Sequence, residues 1–420
     1  MTKKELLLYF GALIFALGIS QMVLGAFINI KVHRFIIVFY MLFLFLRMSV
    51  NLNLKRYSIL FLNVTVFFIA FLLSFNSYQN VFTDIQQLFW WLPFSILLVS
   101  MINTKDRLSF FFKKVTVFLT LFGVVISIVS LKKFLDLNNG IVWSSLTGLN
   151  GTDLGTSIGG SSLNKDYNVY SFGISFFIMS YKSCYEMSKR RIYKLAFFFL
   201  ICLDMYLIFY SGSRRGLLLL ILLLLLLPTN SFSKIKKINF SFLSFKTLIR
   251  IAAFYFLFVF SIGFLKNFAS ADTASTRIIS RLATTQNFLN KSNNRTQRWD
   301  YSLEMYSNYD FFQLVFGDGF VYLKKFARYF GVKGEDHPHN FILSTLLYSG
   351  IIGTLIVLYM MAKILLNLKK NKLPLIFNFG FIFILILQLS SSNSFFTLNI
   401  AIFLLVLLLN FSEEKYLLGE

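Results

Sequence analysis

Apolar stretches of about 18 residues or more recur along almost the whole of this chain, each long enough to cross the hydrocarbon core of a bilayer. A soluble domain has no interior large enough for them, since 57% of the 420 residues are hydrophobic and 54 are Phe. The chain therefore reads as one all-α polytopic membrane domain over residues 1–420. Hydropathy places about twelve helices, near 6–26, 34–54, 58–76, 84–102, 110–131, 166–182, 194–211, 215–228, 247–265, 339–361, 373–391 and 394–412. The eighth, GLLLLILLLLLLP, is short because a proline stops it. The first is long and followed by many more, so it is expected to be a retained span and not a cleaved signal peptide.

Charge tests this map. With the N-terminus inside, the inner segments hold Lys3 and Lys4, Lys55 and Arg56, Lys105 to Lys114, Lys182 to Lys194, Lys234 to Lys246, and Lys363 to Lys372. The short outer turns near 77–83 and 391–393 hold neither Lys nor Arg. This is the positive-inside pattern, and it puts both termini in the cytoplasm. Much of the +23 net charge is thus topology, dispersed as loop flanks with no single basic stripe, and no nucleic-acid partner is expected.

Two longer segments fall on the outer side. Residues 132–165 are rich in Gly and Ser and suit a close-lying loop, with no GxGxxG or Walker pattern. Residues 266–338 form a much larger loop with helical signals of its own. In NNRTQRWDYSLEMYSNYDFF, Asn294 is an expected N-cap, Trp299, Leu303 and Tyr306 share a helical face, and Arg295 lies one turn before Trp299. GDGF (317–320) then turns the chain. Loops of this length are uncommon unless they work. Cys184 and Cys202 are placed for neither a disulfide nor a CxxC metal site, and no cofactor is expected.

At the lip of a long apolar run stands GEDHPHNFILSTLLYSGIIG (334–353), with two of the chain's three histidines. Pro338 suits the first turn of a helix, Asp336 or His337 can cap it, and His339 then falls in that first turn. The positive end of the helix dipole disfavours imidazolium there, leaving His339 able to accept a proton. Gly350 and Gly353, further along, would admit a close neighbour. The plainer reading is an interfacial histidine followed by a packing motif.

Three stretches, taken together, resemble the bacterial O-antigen ligases and the related O-antigen and capsule polymerases. His339-Asn340, nine residues, Gly350, two residues, Gly353 is similar to the family's His-Asn…Gly-x-x-Gly signature. SGSRRG (211–216) is similar to its Ser-Arg element, and Arg295-x-x-x-Trp299 with Gly317-Asp318-Gly319 to its outer-loop element. The tandem arginines 214–215 and the second arginine, Arg298, depart from the pattern and leave open which of each pair acts.

The resemblance implies a GT-C-like, metal-independent glycosyltransferase of the bacterial cytoplasmic membrane, with its site facing the periplasm or exterior. Its substrate would be an oligosaccharide on undecaprenyl pyrophosphate, and its expected companions a flippase and a chain-length regulator. The chemistry needs a base for the acceptor hydroxyl, the role assigned to His339. It needs fixed cations for the departing pyrophosphate, the role assigned to Arg214 and Arg295. Arg215, Arg298, His337 and Asn340 are further substrate-binding candidates. A direct displacement would invert the anomeric centre. Both a polymerase and a ligase need these groups; polymerase is the reading adopted, as the more numerous and divergent branch.

Other readings stand beside these. The arginines could anchor helix ends or solvate an exposed helix. Glu335, Asp336, His337 and His339 offer ligands for a divalent metal, although His337 and His339 should diverge once the helix begins. Asp204, inside a span, is either a functional acid or the partner of a polar group on a neighbouring helix. A lipid-linked oligosaccharide flippase is the rival of another class, but no internal repeat supports it.

Overall fold

A computed structural model describes residues 3–24, 105–139, 161–163, 167–213, 216, 219–220, 294–319, 321–332 and 336–368. The spans expected near 34–54, 58–76, 84–102, 247–265, 373–391 and 394–412, and most of 215–228, lie outside the described residues. Among the described residues every regular element is a helix: α1 (Lys3–Leu24), α2 (Lys105–Asn138), α3 (Tyr167–Met187), α4 (Arg191–Tyr210), α5 (Asn294–Ser307), α6 (Phe311–Phe316), α7 (Val321–Tyr329) and α8 (Phe341–Leu368). Three are long and apolar enough to cross a membrane, over Ser109–Leu137, Arg191–Tyr210 and Ile342–Tyr359. The chain divides into two compact units. One comprises Met1–Phe35, Leu108–Asn290 and Pro374–Ile376; the other comprises Ile36–Arg107, Lys291–Leu373 and Phe377–Glu420.

In the first unit α3 packs against both α1 and α4. It is buried without interruption from Tyr170 to Lys182, although it carries several serines. Those hydroxyls turn back onto their own helix: Ser171 donates to Tyr167 O (2.8 Å), Ser175 to Ser171 O (2.8 Å) and Ser180 to Phe177 O (2.8 Å). Bonding of this kind lets a polar residue enter an apolar interior without leaving an unmade bond. Asp204 of α4 is wholly buried and accepts from Ser127 Oγ of α2 at 2.5 Å, so the embedded acid has a partner on a neighbouring helix. Cys184 and Cys202 are both free thiols.

The C-terminal end of α4 is a polar corner. Ser211 caps the helix with its N–H on Leu207 O (2.9 Å), and Gly212 takes a positive φ of 70°. Ser161, shortly before α3, docks here, its N–H on Tyr210 O (3.3 Å) and its hydroxyl on Leu207 O (2.5 Å). Lys133 of α2 is buried beside it and donates to Ser162 O.

The second unit holds α5 to α8, with α5 and α6 packed on α8. The sequence reads as one continuous helix after His339, but α8 breaks at Gly350, where φ is 63° and ψ −165°. A break releases carbonyls that no later turn of the helix can reach. They are taken up by the outer-loop glycine element: Asp318 N–H donates to Leu347 O (2.9 Å) and Gly319 N–H to Tyr348 O (3.0 Å). The element is presented by α6, which opens with a reciprocal capping box between Asp310 and Gln313 and closes at Gly317, φ 81°. Contact is backbone to backbone. A Cβ on Gly317 would lie 2.1 Å from Tyr348 O, and one on Gly350 would lie 2.4 Å from Val315 O. Gly350 thus admits the close neighbour that its small size suggests, and it also ends the helical hydrogen-bond ladder.

Gly317→Ala and Gly350→Ala are therefore expected to be severely destabilising. Each forces a side chain into backbone atoms, costing roughly 1–3 kcal/mol, on top of about 1–3 kcal/mol for an extended positive-φ conformation open essentially to glycine alone. Gly331 also has positive φ, 64°, but no atom lies within 4 Å of its would-be Cβ. Gly331→Ala should cost only the conformational part. Denaturant unfolding of the purified protein in detergent separates these cases, and equal effects at all three positions would contradict the docking.

Candidate functional site

The head of α8 is built by a clamp from α5. Arg298 Nη2 meets Asp336 Oδ2 at 2.5 Å, with both side chains largely buried, and the guanidinium lies over the Phe330 ring, 4.9 Å from its centroid. The next residue, Trp299, donates through Nε1 to Pro338 O at 3.1 Å. Asp336 also accepts from His337 N–H at 2.9 Å, and its own N–H reaches Leu323 O of α7 at 3.3 Å. Two consecutive residues of one helix thus hold the turn 336–338 from both ends. A buried ion pair of this kind does not add much net stability, but it fixes the position of what it pairs.

Directly after that turn His339 has φ 56°, and among the described residues it is the non-glycine with positive φ. Histidine tolerates this region better than most residues, but a non-glycine here remains worth a functional explanation. The expected register is corrected. His339 does not lie in the first turn of α8, because Asn340 caps the helix instead, its Oδ1 accepting from Leu343 N–H at 3.2 Å. An amide oxygen at that position caps better than Asp336 or His337 placed further upstream, so the helix begins after Asn340.

A second correction follows from the same backbone. His337 and His339 do not diverge; their rings meet edge to face with centroids 4.4 Å apart. Both histidines precede the helix, so the helical rotation that would separate them never starts. Even so, Asp336 is engaged by Arg298, and among the described residues no group of three or more His, Cys, Asp or Glu side chains could hold a metal ion.

Of the sequence-derived site residues, the structure brings together His337, His339, Asn340 and Arg298. Arg298 serves the protein's own Asp336. Arg214 and Arg215 lie outside the described residues, directly after Ser213 of the α4 corner. Asp336, considered only as a helix cap or metal ligand, emerges as the anchor of the turn. Its signal in the sequence is faint: an acid just before HPH, and an Arg-Trp pair a loop away.

The polar turn stands at the head of an apolar helix long enough to cross a bilayer, as in an integral membrane protein. Residues 195–358 match the family model described as O-antigen ligase, a stretch running from α4 through the Gly353 end of the α8 motif. That match, over less than half of the chain, supports a likeness to the O-antigen ligase and polymerase family. No curated protein and no solved structure matches it.

Arg298→Ala or Asp336→Ala should cost about 3–5 kcal/mol, because each strands a buried charge. A paired Arg298→Met, Asp336→Leu replacement should recover much of that loss. Unfolding midpoints of the three variants provide the check. A double variant no better than either single would show that the pair is not coupled.

Proposed function

We propose that the protein is a membrane glycosyltransferase acting on undecaprenyl-pyrophosphate-linked glycans, and that it polymerises O-antigen or capsular repeat units. The observation that carries this is the held left-handed His339 inside the region matched to the O-antigen ligase family. In the reaction an acceptor sugar hydroxyl attacks the anomeric carbon of the donor. A new C–O bond forms as the bond to pyrophosphate breaks, and the anomeric centre inverts. His339 takes the hydroxyl proton. Arg295 and Arg214, always charged and able to form bidentate bonds to phosphate, are assigned to the departing pyrophosphate. Arg215, His337 and Asn340 are assigned to binding, although Asn340 also caps α8. No metal is assigned a role.

In this reading about twelve spans carry a GT-C-like fold in the bacterial cytoplasmic membrane, with both termini inside and the outer segments 132–165 and 266–338 on the far side. A flippase and a chain-length regulator are the proposed companions. Ligation to lipid A–core or another acceptor is the second reading, favoured by the description of the matching family. A flippase draws no support from that match.

His339→Ala should lower glycan transfer roughly 10²–10⁴-fold while leaving expression and membrane insertion intact. His337→Ala should be milder, and Arg214→Lys and Arg295→Lys should each impair transfer, since lysine keeps the charge but loses the fork. Activity should persist in excess EDTA. Near-normal transfer in His339→Ala would remove the base assignment. Gene deletion decides between the two activities: surface glycans of one repeat unit mean polymerase, and long chains stranded on the carrier lipid mean ligase.

A further inference from the structure

The sequence assigns all of residues 266–338 to a loop in the aqueous phase outside the membrane, but α6 is fastened to the interior of a membrane span. The carbonyls of Leu347 and Tyr348, which accept from Asp318 and Gly319, lie well inside the Ile342–Tyr359 stretch of α8. At 1.5 Å per residue, the break at Gly350 is about 13 Å along the axis from Phe341, against a hydrocarbon half-thickness of about 15 Å. α6 is only six residues long, about 9 Å, so its first turn cannot stand far from the depth at which its last turn is bonded.

That first turn is Phe311 and Phe312, which are 75% and 68% exposed. Two adjacent phenylalanines left this open would be costly in water and favourable among acyl chains. On α8 itself Ile351, Leu355 and Leu358 are exposed as well, giving the same unit a lipid-facing surface below the break. Irregular backbone is tolerated at membrane depth where protein covers it and its polar groups are paired, as the amides of Asp318 and Gly319 and the carbonyls of Leu347 and Tyr348 are here. Of the two acids in the element, Asp318 is paired with Lys325 Nζ at 2.7 Å and Gln313 Nε2 at 3.1 Å, and Asp310, exposed at its start, caps α6 by accepting from Gln313 N–H at 2.8 Å. α7, which follows, exposes Lys324, Lys325 and Arg328 and buries Tyr322, Leu323 and Phe326, a composition suited to the headgroup level.

We propose that residues 309–319 form a re-entrant element whose Phe311 and Phe312 sit among the acyl chains of the outer leaflet, bonded to the helix that His339 precedes. The proposal rests on α8 crossing the membrane and is independent of the reaction assigned to the protein.

Site-directed nitroxides test it in the full chain, with Cys184→Ser and Cys202→Ser as background, reconstituted in phosphatidylethanolamine–phosphatidylglycerol vesicles. Labels go on Phe311→Cys and Phe312→Cys separately, with Leu355→Cys as the lipid reference and Gln297→Cys, exposed on α5, as the water reference. Both Phe positions should be relaxed several-fold more by oxygen than by a water-soluble nickel chelate, as at Leu355 and opposite to Gln297. A chelate-dominated signal at both Phe positions, with Leu355 still lipid-like, overturns the re-entrant element. An aqueous signal at Leu355 removes the span itself and the proposal with it. Neither result alters the expected loss of transfer in His339→Ala, so the two readings fail separately.

Discussion

The second unit depends on two backbone hydrogen bonds. When α8 breaks at Gly350, its released carbonyls must find donors, and the amides of Asp318 and Gly319 supply them. In an apolar setting an unmade backbone bond costs far more than a typical made bond contributes, so this pairing is close to obligatory. It explains why glycines recur in both partners. Gly317 and Gly350 each adopt a positive φ, and each leaves the space into which the other strand's backbone fits. Two of the three sequence stretches that resemble motifs of one family are, in the folded chain, two halves of one joint.

The polar turn at the head of α8 is held by a different device. Arg298 and Trp299 are consecutive, yet one grips a carboxylate and the other a carbonyl of the same turn. An ion pair and an indole N–H together determine where the turn sits, and Asn340 determines where the helix starts. His339 is left between them with little conformational freedom, in a backbone state it would not choose alone. Such preorganisation suits a group that must meet a reacting hydroxyl without moving first.

Much of this was legible beforehand, and the failures are instructive. Hydropathy located α2, α4 and α8, and the Asn before an amphipathic stretch located the start of α5, because these signals are local. The break in α8 was not legible, since a small residue in an apolar run signals close packing and a broken helix alike. The register of the His-Pro-His turn was misplaced by a proline that fits a first helical turn, when a better cap stood two residues on. Arg298 and Asp336 are far apart in sequence, and nothing local distinguishes an arginine that will pair with a buried acid from one that will face a ligand. The outer loop's glycines were read as a turn, which they are, but their partner lay beyond the reach of any window.

The order of the joint along the chain has a consequence for biosynthesis. The amides that satisfy the broken helix are in residues made before that helix. When α8 leaves the ribosome, its donors are already present in the chain. A helix with a defect at mid-depth would otherwise face lipid with open carbonyls, a state that invites retention or misassembly. Placing the complement upstream lets the defect be closed as it is formed.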